Sequence, residues 1–330
     1  MKCKTGKFCL IIAVIVVVLS GCTRMDDYDS TAFLMGTVVN ERIFGSKEPD
    51  RISADIEEVI KDLENEISWR IDTSPVALLN ENSGEIQVNF SDAQELFVPL
   101  RKLYYDTDGK FDPTIGKITT LWNIGTNDAR LPSQEEINDA LVYVDGSKIL
   151  IDGDMVSIGE GQFLDLGAVG KGHACDRIRE VLEDSDAEGA CISVGGSVLV
   201  YGKHNGNEEF KVAVRDPDKS VNDYIGILRV SDCVISTSGD YEHVLVNDGV
   251  SYHHIIDPCT GYPVGYPELP ELKSVTIICK SGLLSDALST ACFSLGLKDG
   301  MALAEKYGAD AVFITRNRDI HTTDGVVFEK

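Results

Sequence analysis

The stretch from Phe163 to Gly172, FLDLGAVGKG, constrains this chain more than any other. Apolar residues at its start predict a short strand, and the glycines that follow predict a loop. Beyond the loop, apolar residues recur at helical spacing from His173 to about Asp184 and predict a helix. A glycine-rich loop at a helix N-terminus leaves backbone N–H groups free, and the helix dipole favours an anion there. The stretch therefore indicates either a phosphate-binding loop or an ordinary strand–turn–helix junction.

This loop matches neither of the two common phosphate-binding loops. A P-loop requires glycine at position 165 and Ser or Thr after Lys171, whereas this chain has Asp165 and Gly172. The glycines follow the order G-x-x-G-x-G, which differs from the G-x-G-x-x-G fingerprint of dinucleotide-binding folds. Other parts of the chain must therefore decide between the two interpretations.

Composition limits the classes of partner. The chain has 330 residues, of which 43% are hydrophobic, and this suits a sizeable core in one large domain or two lobes. Its formal net charge of -24 argues against nucleic acid as a partner and against docking on anionic lipid. The same charge repels anionic ligands, so a bound phosphate would require a helix N-terminus or a divalent cation nearby.

The N-terminus has the features of an export signal. A basic start precedes an apolar run from Phe8 to Leu19, which is too short to span a bilayer comfortably. Leu19-Ser20-Gly21-Cys22 resembles the lipobox of bacterial lipoproteins. An uncleaved membrane anchor is the alternative, and either one places the folded part outside the cytoplasm. The expected boundaries are a signal peptide at 1–21, a lipidated Cys22 with its tether at 22–31, and a domain at 32–330.

The rest of the chain mixes helical and strand patterns and predicts an α+β fold. We expect one strand from Ala32 to Val39, interrupted by Gly36, and a turn at 237–240. Asn247-Asp248-Gly249 predicts a hairpin between strands at 241–246 and 252–256. The predicted helices lie at 50–69, 91–107, from Ser133 onward, 173–184, 285–295 and 301–307. The other predicted strands lie near 148–151, 155–158, 190–194, 198–201, 210–215, 225–230, 273–279 and 311–315.

A late helix carries candidate metal ligands. Asp286 and Thr290 are four residues apart, so they share one helix face, and Ser289 lies beside them. Carboxylate and hydroxyl oxygens are the hard ligands that Mg²⁺ prefers, together with substrate phosphates. The alternative is that Asp286 only complements the helix N-terminus and that Thr290 is exposed or bonds to the backbone.

The segment from Tyr252 to Gly261 carries a candidate base. Strand alternation places His253 and His254 on opposite faces, so one of them can face a site. A histidine there is a plausible general base because its pKa lies near neutrality. Asp257-Pro258-Cys259-Thr260-Gly261 is also a common turn composition, and a plain turn is the alternative.

Taken together and in order, these motifs resemble the FAD:protein FMN transferase family, the ApbE-type flavin transferases. Seven runs carry the resemblance between residue 32 and about residue 315. They are Met35-Gly36-Thr37, Phe111-Asp112-Pro113-Thr114-x-Gly116, Leu121-Trp122-x-x-Gly125, Asp165-Leu166-Gly167-Ala168-x-x-Lys171-Gly172, Thr237-Ser238-Gly239-Asp240-Tyr241, His253-His254-Ile255-Ile256-Asp257-Pro258-x-Thr260-Gly261 and Ser285-Asp286-Ala287-Leu288-x-Thr290.

The resemblance implies a fold and a reaction. The fold would be a single compact ApbE-like domain, related to the T-fold, with mixed sheets and flanking helices in one body or two lobes. The protein would bind FAD and Mg²⁺, cleave FAD, and attach FMN to a Ser or Thr of a partner flavoprotein with release of AMP. That partner would belong to a membrane or extracytoplasmic electron-transfer system.

The resemblance also assigns residues. Mg²⁺ would be held by the Ala168 carbonyl, Asp286 and Thr290, with Ser289 nearby. His254 would activate the acceptor hydroxyl, with Asp257 as its orienter or as an alternative base. The FAD site would include Met35, Trp69, Lys110, Phe111, Asp112, Asp165, Ser238, Gly239, Asp240 and Ile256, with Lys171 as a secondary candidate. His173, Ser193 and Ser197 depart from the family pattern and affect only details of FAD contact.

Two rival functions use parts of the same residue set. In an Mg²⁺-dependent FAD pyrophosphatase, water would replace the acceptor hydroxyl and the catalytic residues would be identical. A non-catalytic lipoprotein that binds flavin or another solute would keep the aromatic pocket but would not need Asp286 and Thr290.

Overall fold

The computed structural model describes residues 27–220 and 223–330. Residues 1–26 lie outside these ranges. They include the predicted signal peptide, Cys22 and the first part of the predicted tether. Within them, no helix is both long enough and apolar enough to cross a membrane.

The described chain begins with a mixture of helices and short strands and continues, between α6 and α7, with eight consecutive strands. The helices are α1 Pro49–Ile67, α2 Pro75–Glu81, α3 Ala93–Asp106, α4 Gly116–Trp122, α5 Gln134–Leu141, α6 Gly170–Glu183 and α7 Gly282–Lys306. The strands are β1 Tyr28–Leu34, β2 Thr37–Phe44, β3 Val88–Asn89, β4 Leu150–Asp152, β5 Met155–Ser157, β6 Gly189–Val194, β7 Ser197–Gly202, β8 Phe210–Arg215, β9 Tyr224–Val230, β10 Cys233–Gly239, β11 Val244–Asn247, β12 Val250–His253, β13 Leu272–Cys279, β14 Asp310–Thr315, β15 Ile320–Thr322 and β16 Phe328–Glu329.

An antiparallel eight-stranded sheet forms the centre of the molecule, in the order β1-β2-β6-β7-β10-β13-β14-β15. Helices α1, α6 and α7 cover one face, and the small sheet β16-β9-β8 covers the other. Successive side chains of the strand β10 point to opposite faces of the sheet and pack into both cores. Val234 joins the core under the helices, whereas Cys233 and Ile235 join the core under the small sheet. The α+β prediction is confirmed, as one body rather than two lobes.

The first predicted strand is in fact a hairpin. Met35 and Gly36 have φ values of 50° and 67°, so they form a two-residue turn that reverses the chain between β1 and β2. The prediction of a single strand from Ala32 to Val39 was wrong because alternating apolar residues continue through the turn. The apolar pattern alone does not reveal that the chain reverses direction at Met35 and Gly36.

One further prediction fails for a similar reason. Residues 237–239 belong to β10 instead of a turn, because their hydroxyl-rich side chains pair across the sheet, as Thr237 does with Thr276. The prediction of two helices at 285–295 and 301–307 is confirmed, because α7 is broken between them at Gly296, whose φ of 77° and ψ of -176° are not helical. The helix α4 was not predicted, since its seven residues are too few to show a period.

A smaller core joins α4, α5 and the β11–β12 hairpin. Asn247-Asp248-Gly249 predicted this hairpin, and the structure confirms it. The buried Trp122 is central here, since its Nε1–H donates to the Gly261 carbonyl at 2.7 Å. This bond fixes the turn after His254 against α4, whose first residue, Gly116, donates its N–H to the Phe163 carbonyl at 3.0 Å.

Candidate active site

Helices α6 and α7 meet at two glycines. A Cβ atom on Gly172 would lie 2.0 Å from the Gly282 carbonyl oxygen, and one on Gly282 would lie 2.1 Å from the Gly172 oxygen. Both distances are far below van der Waals contact, so only glycine fits at either position. The close approach brings the N-terminal turns of the two helices together, and with them the opening loop and Asp286.

Asp286 acts as a cap on α6 from a different helix. Its Oδ2 accepts the N–H of Gly172 at 2.9 Å, one of the first-turn N–H groups that have no acceptor within the helix. Burial raises the pKa of Asp286, and the charge of Lys171 and the backbone N–H groups of Gly172 and Lys171 oppose that rise. A buried carboxylate with so little compensation is suited to a bound cation.

Hydroxyl groups from two elements meet one turn after Asp286. Ser238 Oγ, on β10, lies 2.7 Å from Ser289 Oγ and 3.2 Å from Thr290 Oγ1. Ser289 Oγ also donates to the Asp286 main-chain carbonyl at 2.8 Å. Ser238 therefore meets Ser289 and Thr290, and helical spacing puts the Asp286 carboxylate on the same face of α7 as Thr290.

The fourth predicted ligand is the Ala168 carbonyl, at the mouth of the loop. Among the described residues this carbonyl accepts no backbone hydrogen bond, while the Leu166 and Val169 carbonyls on either side accept bonds from Gly170 and His173. Ala168 and Thr290 line the same pocket. An oxygen without a protein donor in a pocket wall can bind a ligand or a cation.

The donor set fits a hard divalent cation better than a transition metal. Across residues 27–220 and 223–330, no group of three or more His, Cys, Asp or Glu side chains is arranged to hold a metal. One carboxylate, two hydroxyls and a carbonyl remain, and all are hard oxygen donors. Mg²⁺ is commonly bound in this way, by few protein ligands with water and phosphate oxygens completing the shell. The residues present therefore fit Mg²⁺.

The pocket beside these groups has a volume of about 50 Å³. Seven predicted site residues line it, namely Lys110, Phe111, Asp112, Asp165, Ala168, Ile256 and Thr290. The sequence did not single out the apolar part of the wall, Leu100, Pro113, Ile115, Leu166, Val169 and Pro258. Apolar residues of this kind carry no local signal that separates a pocket wall from ordinary core.

Two acidic residues of the pocket hold its walls in shape. Asp112 is buried, and its Oδ1 accepts the N–H and hydroxyl of Thr114 while its Oδ2 accepts the Gly146 N–H. Burial raises the pKa of Asp112, and these hydrogen bonds oppose the rise. Asp165 accepts the Gly167 N–H at 2.9 Å and the Thr119 hydroxyl at 2.7 Å. Both carboxylates therefore fix loops around the pocket.

The two adjacent histidines have different surroundings. His253 is buried, with Nε2 at 3.0 Å from the Val264 carbonyl and Nδ1 accepting the Ile255 N–H at 3.3 Å, so both ring nitrogens have structural partners. His254 Nδ1 is buried and has no partner among the described residues. Desolvation, reinforced by His243, His253 and Lys171, lowers the pKa of His254 to about 3 and keeps the ring neutral. The ring is therefore neutral and has a free nitrogen, but its low pKa makes it a weaker base than the near-neutral pKa expected from the sequence.

The structure places Asp257 away from its predicted role. Its Oδ2 binds Lys110 Nζ at 2.6 Å and its Oδ1 accepts the Cys259 N–H at 2.9 Å. The described residues contain no hydrogen bond between Asp257 and His254, so Asp257 does not orient that ring here. The ion pair instead joins the turn after His254 to the Lys110-Phe111-Asp112 loop.

Five predicted FAD residues lie outside the pocket wall, and one of them, Ser238, lies beside Ser289 and Thr290. Met35 approaches the first turn of α6, and its Cε would lie 3.3 Å from a Cβ on Gly170. Trp69 packs edge-on against Phe163, with ring centroids 5.5 Å apart. Gly239 ends β10, and Asp240 forms an ion pair with an arginine, Arg316. The pocket does not test their contact with FAD, which stays a prediction.

This chain belongs to the ApbE family, whose model matches residues 35–313. The FAD:protein FMN transferase of Treponema pallidum (strain Nichols) is 30% identical and aligns over 96% of this chain and 94% of its own length. A protein of the same name from Klebsiella pneumoniae (strain 342) is also 30% identical, over 89% and 90%. The resemblance drawn from the ordered motifs is confirmed.

Solved structures agree with this family assignment. The ApbE protein from Thermotoga maritima superposes with a TM-score of 0.81 at 32% identity, over 91% of this chain and 97% of that chain. The flavinyl transferase ApbE from Pseudomonas stutzeri, in its apo form, gives a TM-score of 0.77 at 27% identity, over 90% and 94%.

Proposed function

We propose that this protein is an Mg²⁺-dependent FAD:protein FMN transferase. It cleaves FAD and attaches FMN through a phosphoester bond to a Thr or Ser of an acceptor flavoprotein, and AMP is released. One observation carries the proposal. Thr290, four residues after the buried Asp286 on α7, lines a pocket together with Ala168 and with the predicted FAD residues Lys110, Phe111, Asp112, Asp165 and Ile256. The names of the relatives support the same reaction.

Asp286, Thr290, the Ala168 carbonyl and Ser289 would hold the Mg²⁺. When bound, the cation offsets negative charge on the FAD pyrophosphate, which is the main electrostatic requirement of phosphoryl transfer. The N-terminus of α6 adds a favourable helix dipole. These local positive groups allow a chain with a net charge of -24 to bind an anion.

His254 accepts the proton of the acceptor hydroxyl through its unpaired Nδ1. The acceptor oxygen then bonds to the FMN-side phosphorus, and the bond from that phosphorus to the bridging oxygen breaks. The bridging oxygen leaves with AMP. The Phe111 ring and the apolar pocket wall exclude water from this exchange. Were water to enter instead, the products would be free FMN and AMP.

The decisive experiment removes the carboxylate. Wild-type protein incubated with FAD, Mg²⁺ and a recombinant flavoprotein domain that bears an exposed Thr should add the mass of one FMN to that domain. Asp286→Asn should reduce the transfer rate at least about 100-fold. The control is Asp299→Asn, an exposed carboxylate on the same helix, which should transfer normally. Release of FMN and AMP without labelling would identify a pyrophosphatase. Full transfer by Asp286→Asn would refute the metal assignment.

We also propose that the protein is lipid-anchored outside the cytoplasm and acts on an electron-transfer flavoprotein at the membrane. The support is the signal-like start and the lipobox-like Leu19–Cys22, which lie outside the described residues. Cys22→Ser should move the full-length protein from the membrane to the soluble fraction without loss of transfer activity. Retention of that variant in the membrane would contradict the lipid anchor.

A further inference from the structure

The strand β1 forms an open edge of the main sheet. Among the described residues it pairs only with β2. The two-residue turn makes Leu34 and Thr37 a hydrogen-bonded pair, so bonded and non-bonded pairs alternate from there. The Gly195 N–H donates to the Val38 carbonyl at 3.1 Å, which shows that Val38, opposite Phe33, turns its backbone away from β1. The N–H and C=O groups of Phe33, Thr31 and Asp29 therefore point outward from the sheet.

The same stretch carries an exposed apolar pair. The Phe33 side chain is 72% exposed, the largest fraction among the exposed large hydrophobic residues, and Val38 directly opposite is 46% exposed. The edge has no proline or lysine of the kind that blocks strand addition. Asp29, at the far end, is neutralised by Arg42 at 2.6 Å. An extended segment could thus gain both main-chain bonds and an apolar contact here.

This edge continues into the proposed active site. The turn between β1 and β2 places Met35 against Gly170, the first residue of α6. At the start of β2, Thr37 Oγ1 and Lys171 Cδ lie 2.8 and 3.0 Å from the position that a Cβ on Gly195 would take. Lys171 is also one of the charges that act on His254. A segment lying along β1 would therefore leave the edge beside the residues that carry out the transfer.

We propose that the edge of β1 binds an extended segment of the acceptor protein as an added strand, with an apolar side chain of that segment packed on Phe33 and Val38. This proposal rests on the proposed transfer reaction, which requires a second protein to present its hydroxyl. A second copy of this chain is a poorer occupant, because two chains of net charge -24 repel each other. For the same reason the bound segment should carry basic residues beside its apolar one.

Two substitutions test the edge without touching the pocket. Thr31→Pro removes an outward N–H that β2 does not use, and Phe33→Glu removes the apolar contact. Each should raise the KM for the recombinant acceptor domain about tenfold or more, while kcat and the KM for FAD stay within about twofold of wild type. The matched control is Val246→Glu, which is 68% exposed on the β11–β12 hairpin and should change nothing.

Amide hydrogen exchange gives a readout independent of activity. The Thr31 and Phe33 amides should exchange quickly in the free protein and at least about tenfold more slowly with the acceptor domain bound. If wild type does not label the acceptor at all, the transfer reaction itself is wrong. A different result would overturn only the edge proposal. In that case wild type labels the acceptor domain, both variants keep the wild-type KM for it, and the Thr31 and Phe33 amides stay unprotected. Protection by dimerisation without acceptor would assign the edge to a second copy.

Discussion

At the scale of single residues, the adjacent His253 and His254 separate structural from catalytic roles. His254→Ala should lower the FMN transfer rate by about 10²- to 10⁴-fold, because it removes a free proton acceptor. Its free energy of unfolding should change little, since that nitrogen has no partner to lose. His253→Ala should instead destabilise the fold by about 2 kcal/mol through its lost bonds and packing. Transfer assays and urea unfolding measure the two effects, and equal loss of stability in both variants would contradict this division.

Ionisation of the buried Glu41 side chain opposes folding. It is 3% exposed on β2, and neither carboxylate oxygen has a hydrogen-bond partner. Burial raises the pKa of Glu41, the nearby Ser53 hydroxyl opposes that rise, and the charge of Glu57 adds to it. An acid with a raised folded-state pKa binds its proton more tightly in the folded state, so its penalty is absent at acid pH and grows as pH rises through that pKa.

Glu41→Gln should therefore stabilise the protein at pH 8 by about 1 to 3 kcal/mol and much less near pH 4.5. Chemical unfolding at several pH values gives the difference directly. Glu58→Gln, an exposed carboxylate on α1, is the matched control and should show no such pH dependence. A constant difference across the pH range would mean that Glu41 gains a partner in solution.

At the scale of elements, the crossing of α6 and α7 sets the geometry of the site. Gly172→Ala should cost about 3 kcal/mol or more and abolish transfer, because the added methyl group must push the helices apart and move Gly172 N–H from Asp286. Gly196→Ala is the control, since its Cβ would meet only the Thr237 carbonyl, at 3.4 Å. Thermal unfolding and the transfer assay should separate the two variants. A stable, active Gly172→Ala protein would show that the helices can separate without cost.

Local sequence patterns were enough to predict helices that show an apolar stripe or a clear N-terminal residue. The stripe of α1 and the helix that begins after Ser133 are confirmed, whereas α6 begins at Gly170, three residues before its predicted start at His173. The β10 strand was missed because its Ser and Thr residues have turn chemistry, yet their hydroxyl groups pair within the sheet. Such pairing depends on a neighbouring strand, which local sequence does not specify.

The site was predictable in its residue types but not in its assembly. Asp286 and Thr290 are four residues apart, and both lie in α7, so the helix places them on one face. Their meeting with the loop at 163–172 depends on two glycines 110 positions apart, Gly172 and Gly282. The ion pair of Lys110 with Asp257 spans 147 positions, and no periodicity in the sequence encodes it. Family resemblance supplied what spacing could not, since it orders motifs that meet only in the folded chain.

At the scale of the whole molecule, the eight-stranded sheet separates the candidate active site from the small sheet on its other face. The helices and the pocket lie on one side, and the small sheet β16-β9-β8 closes the other. All the proposed ligands therefore come from elements on the helical face or from strand ends that reach it. The net charge of -24 produces a long-range field that opposes the approach of FAD even though local groups favour binding.

This opposition makes a prediction about salt. Raising NaCl from about 10 mM to about 150 mM shortens the Debye length from roughly 30 Å to roughly 8 Å. The distant acidic charges are then screened more than the partly buried groups of the site. At constant free Mg²⁺, kcat/KM for FAD should rise about two- to threefold, mainly through KM. Single-turnover rates with FAD already bound should stay constant, which controls for effects on chemistry. A fall in kcat/KM would show instead that Lys110, Lys171 and the bound cation dominate the field that FAD meets, and that the net charge of -24 acts away from the pocket mouth.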